Sequence, residues 1–299
     1  MKIIEDTEII NKVKKYVKEK INSAKYKSIQ EPHLVIIQVG DNPYSDKTKK
    51  ACEEVGINCR IYQYEESVTT EHLKSILSKL SLSPSVTAIS IQLPLPEHIN
   101  YRALTNEIDP TKDVDGVTAV QVGKLQLGLE PRLDPPMAKG IMKILPFFVQ
   151  GKDVTIVGRC DVVGKPLAKR LLDKDATVTI CHSRTENLEQ HTRKSDIIIL
   201  ATGVQNHFGS RYFYGNNAKT IIHTGDLNIE SMNSISNYSN LIEIYEVSDD
   251  LTIAALLQNI CIAYDAQFDI IWRYHQYLIS NEFKEVNCSG TKYDTITAI

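Results

Sequence analysis

The sequence predicts an α/β protein of two domains built on parallel sheets, and three observations carry that expectation. Short apolar runs alternate with amphipathic helical patterns, on the scale of roughly 30 residues that a strand-helix-strand unit requires. The alternation occurs as two series, one before Asp109 and one after Pro136, separated by a stretch rich in proline and glycine. The chain has 299 residues, of which 42% are hydrophobic, enough for two cores at about 100 to 200 residues per domain.

Taken in order, residues 5–28 place Ile9, Ile10, Val13, Val17 and Ile21 near helical spacing among lysines and glutamates, which reads as an amphipathic helix. HLVIIQVGDNP is a buried strand running into a loop. Lys49 to Val55 reads as a helix stopped by Gly56, NCRIYQYE as a second strand, and Thr70 to Leu82 as a helix capped by Thr69 or Thr70. TAISIQLPLP is a third strand that breaks at Pro94, and Asp109 to Pro136 reads as connective structure lining a cleft. In the second series KDVTIVG is a strand, Pro166 to Leu172 a helix, and ATVTICHS, SDIIILATG and KTIIHTGD are strands. Leu256, Leu257, Ile260, Ala263 and Tyr264 form the stripe of a last helix over Thr252 to Leu278. Residues 281–299 read as a weakly structured tail.

Composition narrows the function classes. With 34 Lys+Arg against 37 Asp+Glu and a formal charge of −3, no dominant basic face for nucleic acid is expected. Cys52, Cys59, Cys160, Cys181, Cys261 and Cys288 lie far apart with no C-x-x-C pair, so buried free thiols are expected rather than a metal or redox motif. The first residues, MKIIEDTEII, lack a signal-peptide pattern, and no apolar run reaches membrane-spanning length. A cytoplasmic protein without membrane partners is the expectation.

The second series opens with VTIVGRCDVVGKPLAKRLL, a strand, a loop with glycines at 158 and 164, and a helix. Glycines there let backbone N–H groups approach a phosphate at a helix N-terminus, where the dipole favours negative charge. The spacing differs from G-x-G-x-x-G, so an ordinary strand-to-helix turn is the alternative. The next strand ends in CHSRT, where a site for NAD places an acid on the ribose. Ser183, Arg184 and the loop residue Arg159 suit a 2′-phosphate instead, which points to NADP with NAD as the second choice.

QVGDNP, KKACEEVGI, IQLPLP, PTKDVDGVT, VGRCDVVGKPLA, ATVTICHSRT and DIIILATG occur in that order, and by them the chain resembles the FolD-type methylenetetrahydrofolate dehydrogenase/methenyltetrahydrofolate cyclohydrolase family from about residue 3 to about residue 280. The resemblance implies an N-terminal β/α substrate domain over 1–135 together with about 252–280, and a Rossmann-type NAD(P)-binding domain over 136–251. It also implies a last helix that packs back on the first domain, tetrahydrofolate derivatives as substrates and a homodimer. Hydride would pass from methylenetetrahydrofolate to NADP, and the methenyl product would be hydrolysed to 10-formyltetrahydrofolate.

Position by position, the resemblance makes Gln92 the glutamine that assists an active-site lysine and Asp115 the carboxylate that holds the pterin. A strand-end amide and a turn residue are the plain structural alternatives. Gly158, Arg159, Cys160, Gly164 and Ser183 match the cofactor side. The family's tyrosine and lysine, one helical turn apart, fall on Tyr44 and Thr48, after a loop shorter than usual. Threonine supplies no positive charge, which leaves Lys47 and Lys49 as candidates if the helix is shifted. The glycine-rich loop before the last helix is replaced by EVSDD (Glu246 to Asp250), a Cys-Thr-Pro by Pro136, Met137 and Ala138, and an expected aspartate by His223. These changes fit a dehydrogenase with doubtful cyclohydrolase activity, or a catalytically silent folate or dinucleotide binder that partners an active homologue.

Overall fold

The structure, a computed structural model, describes residues 2–4, 6–23, 30–130, 132–145, 149–202, 212–213, 219–225 and 242–285. Two parallel sheets organise it. In the first series, β2 (His33–Val39) lies between β3 (Asn58–Tyr64) and β4 (Ala88–Ile91), in the order β3-β2-β4. The central strand β2 is buried from Leu34 to Val39 and is apolar from Leu34 to Ile37, as central parallel strands are, and β4 is buried throughout with Ser90 as its polar residue. Helices α1 (Thr7–Ile21), α2 (Pro43–Val55) and α3 (Thr70–Leu82) accompany this sheet, with the short α4 (Tyr101–Thr105) after β4. Ile10, Val13, Val17 and Ile21 are the buried face of α1, the stripe that the sequence displays.

Helix α2 begins six residues earlier than expected, at Pro43. Asn42 caps it by accepting from Tyr44 N at 3.0 Å, and Pro43 opens the first turn, where its missing N–H costs nothing. A second departure lies in the proline- and glycine-rich stretch, which contains α5 (Ala119–Leu127), capped by Thr118 and ended by the left-handed Gly128. Val120 and Val122 on α5 are exposed, so the helix lacks the apolar stripe that would have revealed it.

Helix α6 (Pro136–Ile144) leads into the second series: β5 (Asp153–Val157), α7 (Gly164–Leu172), β6 (Thr177–Cys181), α8 (Leu188–Lys194), β7 (Ile197–Leu200), β8 (Lys219–His223), β9 (Ile242–Glu246) and α9 (Asp249–Glu285). The six-stranded sheet runs β1-β9-β8-β7-β5-β6, where β1 (Lys2–Ile4) is the first described strand of the chain. Strand order reverses at β5, the switch point whose carboxyl edge forms the usual dinucleotide crevice. Helix α7 starts at Gly164, two residues ahead of Pro166. Helix α9 returns to pack on α1 and α6, and Gln267 donates from it to the carbonyls of Thr87 and Thr111 beside the first sheet. Its backbone is helical through Glu285, past the expected start of a tail at 281, and residues 286–299, Cys288 among them, lie outside the described residues. Cys52, Cys59, Cys181 and Cys261 are buried thiols, whereas Cys160 in the loop after β5 is exposed. No helix among the described residues is long and apolar enough to cross a membrane.

The EVSDD segment runs from the end of β9 (Glu246) through Val247 and Ser248 into the first turn of α9 (Asp249 and Asp250). Ser248 Oγ accepts from Leu251 N at 3.1 Å and donates to Asp6 Oδ2 at 2.7 Å, and Asp6 Oδ2 also accepts from Ser248 N at 3.1 Å. Ser248→Ala removes this cap and is expected to cost about 1–2 kcal/mol. A lower urea midpoint with an unchanged m-value is the expected readout.

Candidate active site

A cavity of about 330 Å³ opens between the two sheets, within the range of small-molecule sites. Tyr44 and Thr48 of α2, Ser90, Ile91 and Gln92 at the end of β4, Tyr101 of α4 and Asp115 line one side. Pro136 and Met137 of α6, Val162 and Val163 of the loop before α7, and Thr252 and Leu256 of α9 line the other. Tyr44, Gln92 and Asp115, far apart in the sequence, thus share one cavity.

Asp115 is held by residues of β4. Ser90 Oγ lies 3.0 Å from each carboxylate oxygen, and Ile91 N donates to Oδ2 at 2.9 Å. Burial and the neighbouring Asp113 outweigh these donors and push the Asp115 carboxyl up to about 7. Asp113, fully buried, accepts from Thr118 N at 2.7 Å, and its own carboxyl is raised by burial. Gly116 follows at φ +67, and a Cβ there would sit 2.1 Å from Leu133 O, so only glycine lets this loop lie on the 133–134 backbone. The Tyr44 hydroxyl is driven well above its ordinary range by burial and by Asp249, Asp115 and Asp250. Burial and Asp115, Asp113 and Asp161 do the same to Tyr101. Both phenols therefore remain protonated donors at neutral pH.

Gln92 is set by the loop after β4. Its Nε2 donates to Leu93 O at 2.8 Å, and Ser45 Oγ approaches its Oε1 at 3.5 Å. Asn42 Nδ2 donates to the same Leu93 carbonyl at 3.1 Å, which ties the start of α2 to the Gln92 loop. Thr48, 1% exposed, occupies the cavity wall one turn after Tyr44 and donates Oγ1 to Tyr44 O at 2.9 Å. Neither Lys47 nor Lys49 lines the cavity. Lys47 turns to the start of α9, 3.4 Å from Asp249 Oδ2 and 3.7 Å from Asp250 Oδ1, and Lys49 is half-buried elsewhere on the helix. His223, at the end of β8, is buried with Nδ1 2.6 Å from Gly225 O.

At the switch point, Gly158 (φ +131) approaches so closely that a Cβ would lie 2.2 Å from Ala201 O, and a Cβ on Gly164 would lie 2.1 Å from Gly158 O. The loop is a close-packed cradle that only glycines can form, ending at the N-terminus of α7, the geometry that receives a pyrophosphate. Arg159 and Cys160 are exposed on it, and Ser183 is exposed just past the end of the adjacent strand β6. This arrangement, with Gly158 and Gly164 packed at the turn and Arg159 and Ser183 exposed just past the ends of β5 and β6, has the form of the crevice in which such sheets bind a dinucleotide.

Sequence reasoning overlooked Ser90, Tyr101, Thr252 and Asn42. Ser90 carried a usable signal, since a polar residue inside a fully buried strand needs a partner. Tyr101 and Thr252 reach the cavity only through tertiary packing.

Comparison with known proteins agrees with this geometry. Residues 4–115 match the family described as tetrahydrofolate dehydrogenase/cyclohydrolase, catalytic domain, and residues 135–268 match its NAD(P)-binding domain. The bifunctional protein FolD of Bacillus subtilis is 38% identical over 211 residues, 68% of this chain and 74% of the relative. The crystal structure of the bifunctional FolD enzyme from Campylobacter jejuni, 33% identical, superposes with a TM-score of 0.78 over 88% of this chain and 99% of that one. A 5,10-methylenetetrahydrofolate dehydrogenase from the silkworm Bombyx mori, 30% identical, gives 0.79 over 90% and 99%. With both halves matched in order and a parallel two-sheet cleft to hold them, the chain belongs to the tetrahydrofolate dehydrogenase/cyclohydrolase family.

Proposed function

We propose that this protein oxidises 5,10-methylenetetrahydrofolate to 5,10-methenyltetrahydrofolate with NADP, and that it hydrolyses the methenyl product poorly. One observation carries the reading: the cavity that holds Asp115, Tyr44 and Gln92 is also lined by Val162 and Val163 of the glycine-rich loop between β5 and α7. Hydride transfer depends chiefly on holding donor and acceptor in register, and that cavity brings the two binding elements together. Asp115 in its charged form accepts paired donors from an amino-pyrimidine edge, which fixes orientation as well as affinity. Tyr44 and Tyr101 supply apolar walls and protonated hydroxyls. The nicotinamide, when bound, accepts the hydride.

Hydrolysis asks more of the chain, because water must be activated beside the methenyl carbon. Thr48 contributes no charge there, and Lys47 is engaged by Asp249 and Asp250. Incubating the purified protein with methylenetetrahydrofolate and NADP, then NAD, tests the proposal. Accumulation of the methenyl compound is expected, and ligand binding without turnover would replace the proposal with a silent binder.

Arg159 and Ser183 support NADP over NAD, since they offer a cation and a hydroxyl where an acid would otherwise read the ribose. Arg159→Ala is expected to weaken NADP binding by about 1.5–3 kcal/mol, the scale of a hydrogen bond to a charged group, and to leave NAD nearly unchanged. Titration of both cofactors checks this, and equal losses would show that Arg159 does not contact the 2′-phosphate.

A further inference from the structure

Behind the cavity, a continuous polar chain joins the folate side to the dinucleotide side. Asn259 of α9 is fully buried, on the helix face that presents Thr252 and Leu256 to the cavity. Its Nδ2 donates to Val114 O at 2.8 Å, next to Asp115, and to Asp134 O at 2.7 Å, while its Oδ1 accepts from Lys139 Nζ at 2.7 Å. Both N–H groups and the carbonyl oxygen of this buried amide are thus engaged, on three segments: the Asp115 loop, the approach to α6, and α6 itself. The Asp134 carboxylate continues the chain, taking Arg132 Nε at 2.9 Å on Oδ1 and lying 3.4 Å from Arg170 Nε on Oδ2. Arg170 belongs to α7, the helix whose N-terminus ends the glycine loop.

Two close approaches make this connection stiff. Gly116 lies against the Leu133 and Asp134 backbone, and a Cβ on Gly140 of α6 would lie 3.2 Å from Leu251 of α9. A displacement of α7 relative to the Asp115 loop therefore has to break or stretch the Asp134–Arg170 contact, because the remaining links leave little slack.

We infer that Asn259 and Arg170, joined through Asp134, are positioning residues that hold the Asp115 loop and the dinucleotide-binding helix in register for transfer between the two bound ligands. The inference rests on the dehydrogenase reading above. It differs from a simple stability role in what it predicts: each ligand alone should bind normally when the chain is cut, and only the step that needs both should suffer.

Arg170→Ala is the decisive variant, because Arg170 is partly exposed and its loss leaves the core intact. Its dissociation constants for NADP alone and for methenyltetrahydrofolate alone are expected to change less than about fivefold, the scale of a partly exposed ion pair. Its kcat for methylenetetrahydrofolate oxidation is expected to fall about tenfold or more, as a misplacement of ångström order does, with a larger isotope effect from substrate deuterated at the transferred position. Arg170→Lys should recover most of the rate, and Asn259→Ser should repeat the kcat loss from the other end of the chain. A kcat for Arg170→Ala equal to that of the native protein would overturn the inference, as would a rate loss matched by an equal loss of folate or NADP affinity. If the native protein binds both ligands yet does not turn over, the dehydrogenase reading fails by itself. The factor by which saturating NADP changes folate affinity then decides: the same factor in native protein and Arg170→Ala overturns the coupling, and a reduced factor in the variant supports it.

Discussion

Methenyltetrahydrofolate should persist in the presence of the native protein, and Thr48→Lys should accelerate its hydrolysis by about 10²-fold, the low end of what a positioned acid–base group contributes. The physical basis is the single wall position one turn beyond Tyr44. Its present side chain is neutral, and its hydroxyl is already donated to Tyr44 O at 2.9 Å, so it has no proton to offer a water. A lysine in that position would lie in a wall shared with Asp115 and Gln92, where a carboxylate partly offsets the cost of burying the ammonium. The acids at the start of α9 and the absence of a glycine loop limit recovery. Lys47→Ala provides the control. Because Lys47 is paired with Asp249 and Asp250 at the start of α9 and does not line the cavity, its removal should leave any residual hydrolysis unchanged. Native hydrolysis that collapses in Lys47→Ala would mean that the helix rotates during turnover and delivers that lysine.

Asp115→Asn should separate folate recognition from stability, moving the two in opposite directions. The native carboxyl sits at about 7 in the ligand-free protein, and recognition of an amino-pyrimidine edge uses the ionised form as acceptor. Folate affinity should therefore fall as pH drops below about 7, approaching tenfold per unit because a proton must be displaced on binding. Asparagine keeps the shape but presents one acceptor and an N–H₂ where two acceptors stood. The expected loss is about 10²-fold in affinity at pH 8, consistent with a charge-assisted bond of about 1.5–3 kcal/mol and a donor left facing a donor. The variant's affinity should also be flat with pH. For stability the sign reverses. A carboxyl whose folded value lies above its unfolded value binds protons more tightly when folded, so native stability falls as pH rises from about 4 to about 7. Asp115→Asn removes that penalty, and its melting temperature should equal or exceed that of the native protein above pH 7. Unchanged folate affinity would reduce Asp115 to a turn residue.

Residue type and the family resemblance explain why much of this site could be found in the sequence. Gly158 and Gly164 mark a tight strand-to-helix turn by residue type, although the Ala201 backbone that excludes a Cβ at Gly158 is supplied by the fold, and Asp115 is legible through the KDVDG block of the resemblance. Tyr44 and Thr48 come from the family resemblance, because the helical pattern alone starts at Lys49 and leaves both outside it, whereas the Asn42 cap and the Pro43 first turn that carry the helix back to them are features of the fold. Other features depend on partners remote in the sequence. Ser90 and Asn259 matter because of the loop at 113–115, 25 and 145 residues away from their respective partners Asp115 and Val114. Strand β1 has only three residues and exists because β9 lies beside it. Helix α5 escaped notice because two of its valines face solvent, an arrangement that hides amphipathic periodicity.

The pairing of β1 with β9, together with the return of α9 to α1, has a consequence for synthesis of the chain. Strand β1 pairs in the sheet that the later residues build, and α9, the last described helix, completes the core to which α1 contributes its buried face. During translation, which proceeds from the N-terminus, the first half must wait on the ribosome with an uncovered apolar surface along α1 and no neighbour for β1. Nascent-chain lengths that stop before Asp249 should bind chaperones and resist folding, and release of α9 should close both halves together. The same interlacing prevents either half from being exchanged between genes as a contiguous cassette, since a cut anywhere between the two series strands one element on the wrong side.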